Sequence, residues 1–281
     1  MILLFKKTKL FAFVTIPLWI VGVVIARIAL FPDGGVIYPV LIALCGAYVL
    51  YTFAVIQANK MHRSFNDILS DECDPDRFIE LYTPLREEGL KHKGTLFITE
   101  SAYATALHLA GRSAEAREIV RALMARPNFA RQRVIDRGDA FIDEGIYSLA
   151  VGDLPAARDA IERADALLDQ LTVGSADYNR LFREVTRLRY RADIAEGIYD
   201  EALEYFTDTS REYTVPYTKV NRMNTLAQIY RGKGDLRLLR KCLSYIAENG
   251  GTLKMAKDAR EELGTLPEVF EEPVHEDADG D

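Results

Sequence analysis

The pattern of apolar and polar positions divides the chain into two unlike parts. Phe11 to Phe31 and Val36 to Ala58 are apolar runs separated only by the turn Pro32-Asp33-Gly34-Gly35. A helix needs about 20 apolar residues to cross about 30 Å of hydrocarbon, and a helix in a soluble core seldom stays apolar on every face for that long. Each run therefore predicts a transmembrane span, and the short turn predicts a hairpin with both chain ends on one side. Lys6, Lys7 and Lys9 precede the first run and Lys60 and Arg63 follow the second, whereas the turn carries only Asp33. That bias directs both termini, and everything after the hairpin, into the cytoplasm of a two-span cell-membrane protein. A cleaved signal peptide is the competing reading. The first run is too long for it, and Ala26-Arg27-Ile28-Ala29 is a poor small-residue cleavage site. Arg27 lies near the outer end of its span, where the guanidinium reaches the interface. Neither span holds an acidic residue, so nothing suggests a proton relay or transporter core.

From Lys60 onward the periodicity becomes helical. Asp74-Pro75 reads as a helix start, with a capping carboxylate and proline in the first turn, followed by Phe78, Ile79, Leu81 and Leu85 on one face. The acidic residues Asp71, Glu72, Asp74 and Asp76 lack the glycine and terminal glutamate of an EF-hand loop, so capping is the better reading. Almost no stretch alternates as strands do. The resulting division is a basic N-terminus (1–10), a transmembrane hairpin (spans 11–31 and 36–58), juxtamembrane helices (59–96), a helical repeat domain (97–263) and an acidic tail (264–281). The second span is expected to continue as helix through Lys60 to Leu69.

The repeats emerge when short glycine turns are aligned. Four segments run from a helix with small residues through a glycine and a polar turn to a second helix: Ala104 to Leu123 around Gly111, Gly145 to Ala164 around Gly152, Tyr190 to Phe206 around Gly197, and Ala227 to Leu243 around Gly234. Glycine ends the first helix in a conformation that other residues resist, and small residues let paired helices approach. One pair cannot bury its apolar face alone, so several in series support each other.

These segments resemble tetratricopeptide repeats. The resemblance is carried by Gly111 with Ala116; by Gly145, Gly152, Ala157 and Ala164; by Gly197-Ile198-Tyr199 with Ala202 and Phe206; and by Leu226, Ala227, Tyr230 and Gly234. The turn glycines are 41, 45 and 37 residues apart instead of about 34. The consensus tryptophan is missing, Leu239 stands where a small alanine would, and Thr209 takes another small position. The implied fold class is all-α: an N-terminal two-helix transmembrane hairpin followed by a divergent TPR-like α-solenoid of antiparallel helix pairs. Other paired-helix solenoids share the same pattern.

The resemblance implies a scaffold that binds a protein or peptide along its concave face. Asn221, Asn224, Gln228 and Arg231 form a polar stripe beside the apolar face of Met223, Leu226, Ala227 and Tyr230, and Arg183, Arg187 and Arg191 recur every four residues. Mapping these onto the repeat pattern directs Arg187, Arg191, Asn224, Gln228 and Arg231 inward as candidate peptide-binding residues. Amides pair with a peptide backbone and arginines grip carboxylates, so an acidic or C-terminal peptide is the expected ligand. The plainer alternative is a solvated face held by Glu184 and Asp193.

Charge and chemistry narrow the remaining classes. The chain holds 35 basic and 42 acidic residues, and 31 and 41 of these follow residue 59. So acidic a body argues against a nucleic-acid surface. Cys45, Cys73 and Cys242, and His62, His92, His108 and His275, are too scattered to suggest a disulfide or metal site by spacing. No phosphate loop, HExxH or nucleophile elbow is present, so no enzyme activity and no cofactor are expected. The alternatives to a scaffold are a small accessory subunit that interacts through its hairpin and, behind it, a membrane-bound enzyme. The tail, with Glu271, Glu272, Glu276, Asp277, Asp279 and Asp281, is expected to be disordered. A weaker expectation has it folding back onto the arginine stripe as an intramolecular partner.

Overall fold

The four aligned glycines all adopt left-handed backbone, with φ of 91° at Gly111, 79° at Gly152, 83° at Gly197 and 75° at Gly234. The computed structural model describes residues 45, 46, 48, 49, 52, 64–90, 96–208 and 214–267. In it each glycine joins two helices: α2 (Leu96–Leu109) to α3 (Ser113–Met124), α4 (Val134–Ala150) to α5 (Leu154–Asp165), α6 (Ala176–Ala195) to α7 (Asp200–Thr207), and α8 (Pro216–Lys233) to α9 (Leu236–Asn249). The pairs are preceded by α1 (Pro75–Gly89) and followed by α10 (Lys254–Thr265). Among the described residues there is no strand.

The same pair of backbone hydrogen bonds closes every turn. At Gly234 its own N–H donates to the Arg231 carbonyl at 3.2 Å and the Asp235 N–H to the Tyr230 carbonyl at 2.9 Å. Gly111, Gly152 and Gly197 repeat this arrangement. Both bonds engage carbonyls that a helix end leaves unpaired, and the geometry requires positive φ at the glycine. In two of the turns the next residue then starts the return helix, since Asp153 and Asp235 accept from the backbone N–H of Ala156 and Leu238. Spacings longer than those of the resembled family have visible causes. Short 3-10 turns, Phe129–Arg131 and Leu168–Gln170, connect successive pairs, and α6 runs for 20 residues.

Successive pairs pack through small residues. A Cβ added at Gly138 would stand 2.6 Å from Leu181 Cδ1, and one at Gly145 would stand 2.4 Å from Leu188 Cδ2. Two glycines seven residues apart on α4 thus receive two leucines seven residues apart on α6. Ala157, Ala160 and Ala164 likewise leave no exposed surface on α5. Each core of buried side chains passes from one pair to the next, one joining Tyr103, Val120 and Tyr147, the next Phe141, Ile161 and Leu188. A third extends from Ile194 through Ile229 to Leu253.

That third core also contains Cys73, from the turn before α1, and so joins the two ends of the described chain. The Thr252 N–H donates to the Cys73 carbonyl at 3.1 Å. Its hydroxyl donates to Asp74 Oδ1 at 2.7 Å, and Lys257 reaches Asp76 at 2.9 Å. The helix pairs therefore bend round until the turn before α1 meets the start of α10, and the inner face is a bounded hollow. Residues 64–70 are helical and belong to this body, Ile68 packing with Phe78 and Ala106.

Two details of α1 bear on the expectations. Asp74 accepts the Arg77 N–H at 3.0 Å, which is the capping role its position suggests. Leu81, expected on the buried face, is 46% exposed. The buried face instead follows Phe78, Tyr82 and Leu85, with the Phe78 and Tyr82 rings stacked at 4.7 Å. At about 100° per residue Leu81 lies at the edge of this face, about 40° beyond Leu85 and about 100° from Tyr82.

The predicted spans 11–31 and 36–58 lie outside the described residues, except that Cys45, Gly46, Tyr48, Val49 and Thr52 are helical. No helix among the described residues is long and apolar enough to cross a membrane. The predicted tail lies outside them from residue 268 onward.

Candidate functional site

The hollow contains two adjoining chambers. The inner one, of about 190 Å³, is walled by α2, α4, α6 and α8; the outer, of about 480 Å³, continues along α8 to α10. His108, Ile146, Arg191 and Asn221 border both.

All five candidate residues lie on this hollow. Arg187 lines the inner chamber, Arg191 the boundary, and Asn224, Gln228 and Arg231 the outer chamber. Their chemistry is not uniform. Arg187 Nη1 donates to Glu184 Oε1 at 2.9 Å, within one turn of the same helix. Arg231 makes a two-pronged pair with Glu262 of α10, at 2.9 and 2.6 Å, so it stitches the wall together as much as it faces the hollow. Asp193, expected as a partner of the arginine stripe, instead accepts from Arg158 of α5 at 2.7 Å. Arg183, third in the series, is exposed beside Glu184 and borders neither chamber. The reason is helical drift: a four-residue step advances about 40° past a full turn, so two such steps carry Arg183 about 80° away from Arg191.

The inner chamber also holds groups that spacing alone did not single out. Asp143, on α4, accepts a hydrogen bond from Ser101 at 3.2 Å. Burial and the neighbouring Asp139 push its carboxyl up to about 7, against the pull of Ser101 and Arg180. Asp139 is itself raised by burial despite an ion pair with Arg180 at 2.6 Å. His108 Nδ1 lies 2.9 Å from the Ser113 hydroxyl, and burial together with the charge of Arg191 pushes the imidazole down to about 4. It is therefore neutral near pH 7. Its ring meets that of Tyr147 at 4.9 Å, and the Tyr147 hydroxyl reaches Thr105 at 3.4 Å. Burial raises Tyr217, with Arg191 opposing that shift and Asp143 and Glu184 adding to it.

One signal for these groups was present. Asp143 stands in Phe141-Ile142-Asp143-Glu144, directly after two apolar positions of a helix whose other faces pack against neighbours. An acid buried there is either paired or functional, and of the two acids Glu144 is paired with Arg121. Tyr217 and His108 gave no such signal, because their meeting depends on how α2, α6 and α8 converge. Among the described residues no group of three or more histidine, cysteine or acidic side chains has the arrangement to hold a metal ion. A polar, partly enclosed hollow with fixed donors and acceptors is suited to binding. Comparison with protein-family models, with characterised proteins and with solved structures finds no match, so these chambers and their residues carry the functional argument alone.

Proposed function

We propose that the chain is a membrane-anchored scaffold of the TPR-like kind that binds a protein or peptide segment in the outer chamber, without catalysis. The observation that carries this reading is the wall formed by α8. Asn221, Asn224 and Gln228 follow one another at helical spacing along about 480 Å³ of open space, with Arg191 and Arg231 at its sides. Primary amides both donate and accept, which matches the alternating groups of a peptide backbone. The four left-handed glycine turns support the repeat reading, since each pair is built by the same local device. Anchoring rests on the apolar runs and their basic flanks.

Arg231 and Arg187 already hold Glu262 and Glu184. An acidic ligand would have to compete with those pairs, so the amides are the better recognition elements. The test is crosslinking and affinity capture from the native membrane with full-length Asn224→Ala/Gln228→Ala. Loss of the wild-type partner, with an unchanged melting profile, is expected. Undiminished capture would refute the outer chamber as the binding surface.

The accessory-subunit reading has one observation of its own. Tyr48 and Val49, helical residues of the second apolar run, are 70% and 63% exposed. Lipid or a neighbouring membrane protein would cover such a surface. Proximity labelling that compares full-length protein with a form lacking residues 11–58 separates the two. A scaffold keeps its partner-specific contacts when brought to the membrane by another anchor, and a hairpin-dependent subunit loses them.

A further inference from the structure

We propose that the connection between α3 and α4, residues 125–133, rests on the anionic headgroups of the bilayer that holds the chain, so that the body leans on its first helix pair. This rests on the anchoring reading and adds a second membrane contact, on an edge that neither chamber includes.

Alternation of antiparallel helices gives the body two edges. The four glycine turns follow one of them, each tied to the next by an ion pair: Arg117 with Asp153 at 2.9 Å, Arg158 with Asp193 at 2.7 Å and Lys233 with Asp200 at 2.6 Å. The connections 125–133 and 166–175 lie on the other edge, bridged by Arg137, which donates to Gln170 at 2.7 Å. Charge divides sharply between these two connections. Residues 125–135 contain Arg126, Arg131 and Arg133 and no acid, whereas residues 164–179 contain Asp165, Asp169 and Asp177 and no base. All six side chains are exposed. Arg133 is engaged by Asp136 at 2.7 and 3.0 Å. Among the described residues Arg126 and Arg131 have no acidic partner, in a body where acids outnumber bases 41 to 31 after residue 59.

The chain also enters the body from the side of this edge. The tight turn at 71–74 folds residues 64–70 back along α1, where the Phe65 ring meets those of Phe78 and Tyr82 at 5.8 and 5.4 Å. Residue 64 therefore lies toward the far end of α1, which finishes at Gly89, seven residues or about 10 Å beyond Tyr82. From Ala58, the last residue of the second apolar run, six residues span at most about 20 Å to Ser64. The body is thus held close to the bilayer, and the edge where α1 ends and α2 begins is the one turned toward the entering chain. That start of α2 supports the arginine connection directly, because the Phe97 and Phe129 rings lie 6.3 Å apart.

Electrostatics then selects the contact. An arginine close to an anionic leaflet favours binding by about fivefold, and the effect fades over a screening length of about 8 Å. Arg126 and Arg131 lose no internal ion pair when they turn to headgroups. The aspartates of residues 164–179 are repelled by the same surface, so the second connection is lifted and the body tilts. Phe129 also packs against Phe141 at 5.7 Å, which fixes the connection against the body, and Leu90 and Ile98 leave exposed apolar surface at the same end. Apolar groups beside arginines suit the boundary between headgroups and acyl chains. The two arginines are spread over an open edge with no enclosing donors, which matches a sheet of negative charge better than one small anion.

The experiment places a photocrosslinker in the full-length chain, as Ala130→benzoylphenylalanine or, for comparison, Val173→benzoylphenylalanine. Each chain is held in nanodiscs of equal parts phosphatidylcholine and phosphatidylglycerol, and mass spectrometry reads the lipid adduct after irradiation. Adduct at position 130 should exceed that at 173 at least fivefold, and should fall by about that factor in phosphatidylcholine alone. Arg126→Gln/Arg131→Gln should lower it likewise. Equal yields at the two positions, or a yield at 130 indifferent to lipid charge, overturn the proposal. In native membranes, an adduct at 130 with a protein in place of lipid would assign the edge to an acidic partner and overturn it too. An alkaline wash tests the anchor separately. A chain that stays in the bilayer with equal yields loses this contact alone, whereas a chain that washes out loses the anchor and this contact with it. The comparison of lipids keeps both arginines and decides the matter even if the double variant fails to fold.

Discussion

Asp143 and His108 depart from ordinary titration in opposite directions for one shared reason, burial at the inner chamber. Their effects on stability oppose each other. Asp143 keeps its proton in the folded state from pH 3.8 up to about 7, where the unfolded chain has released it, so its contribution falls as pH rises through that window. His108 stays unprotonated when folded from about pH 4 to 6.5, where the unfolded chain has bound a proton, so its contribution rises with pH. Each amounts to the order of 3 kcal/mol. Between pH 4 and 6.5 they nearly cancel. Relative to wild type, His108→Gln should lose stability as pH rises from 4 to 7, and Asp143→Asn should gain it. Urea unfolding across that range is the check, and changes of the same sign in both variants would contradict the assignment. The sequence offered half of this pair: Asp143 directly follows the apolar Phe141-Ile142, whereas nothing near His108 announces that Arg191, 83 positions later, will stand beside it. The candidate arginines show the same limit. Their spacing placed Arg187 and Arg191 on one side of a helix, but the carboxylate that holds Arg231 comes from Glu262 on α10, which no local pattern connects to it.

At the scale of the element, the glycine turns were the most legible feature because their cause is local. A left-handed residue closing two hydrogen bonds onto the preceding turn needs no distant partner. The contact of α4 with α6 is legible only in retrospect. Gly138 and Gly145 matter because Leu181 and Leu188 fill the space above them, a fact about a helix that begins 31 residues after Gly145. Gly145→Ala should cost about 1–3 kcal/mol through overpacking against Leu188. In a Leu188→Ala background the same change should cost clearly less, since the clash is gone. A double-mutant cycle by denaturant unfolding measures this, and additive penalties would show that the two residues do not share the contact. The face of α1 was misjudged at Leu81 because that residue stands at the edge of the face, about 100° round the helix from Tyr82, just as Arg183 stands about 80° from Arg191.

Across the whole molecule, the clasp between Cys73, Asp74 and Asp76 and the start of α10 converts a row of helix pairs into a bounded hollow. Sequence patterning anticipated the row and not its closure, because each pair carries the same signals whether the row remains open or bends round. Thr252→Val with Lys257→Ala removes one hydroxyl bond and one exposed ion pair, a loss of about 1–2 kcal/mol. Amide exchange should quicken at residues 71–76 and 250–257 while residues 138–149 of α4 keep their protection. Exchange that quickens equally throughout would mean that the clasp is inseparable from the rest. The clasp also orders events during synthesis. Thr252 follows Asp74 by 178 residues, and a ribosome adding about 5–20 residues per second needs about 10–40 s to make that stretch. For that interval the Cys73 carbonyl has only water or a passing chaperone as partner, and the Asp74 carboxylate has only the Arg77 N–H of its own turn. This turn, ahead of all the helix pairs in the chain, is thus among the last to be finished, and newly made chains present it while the helix pairs behind it are already packed.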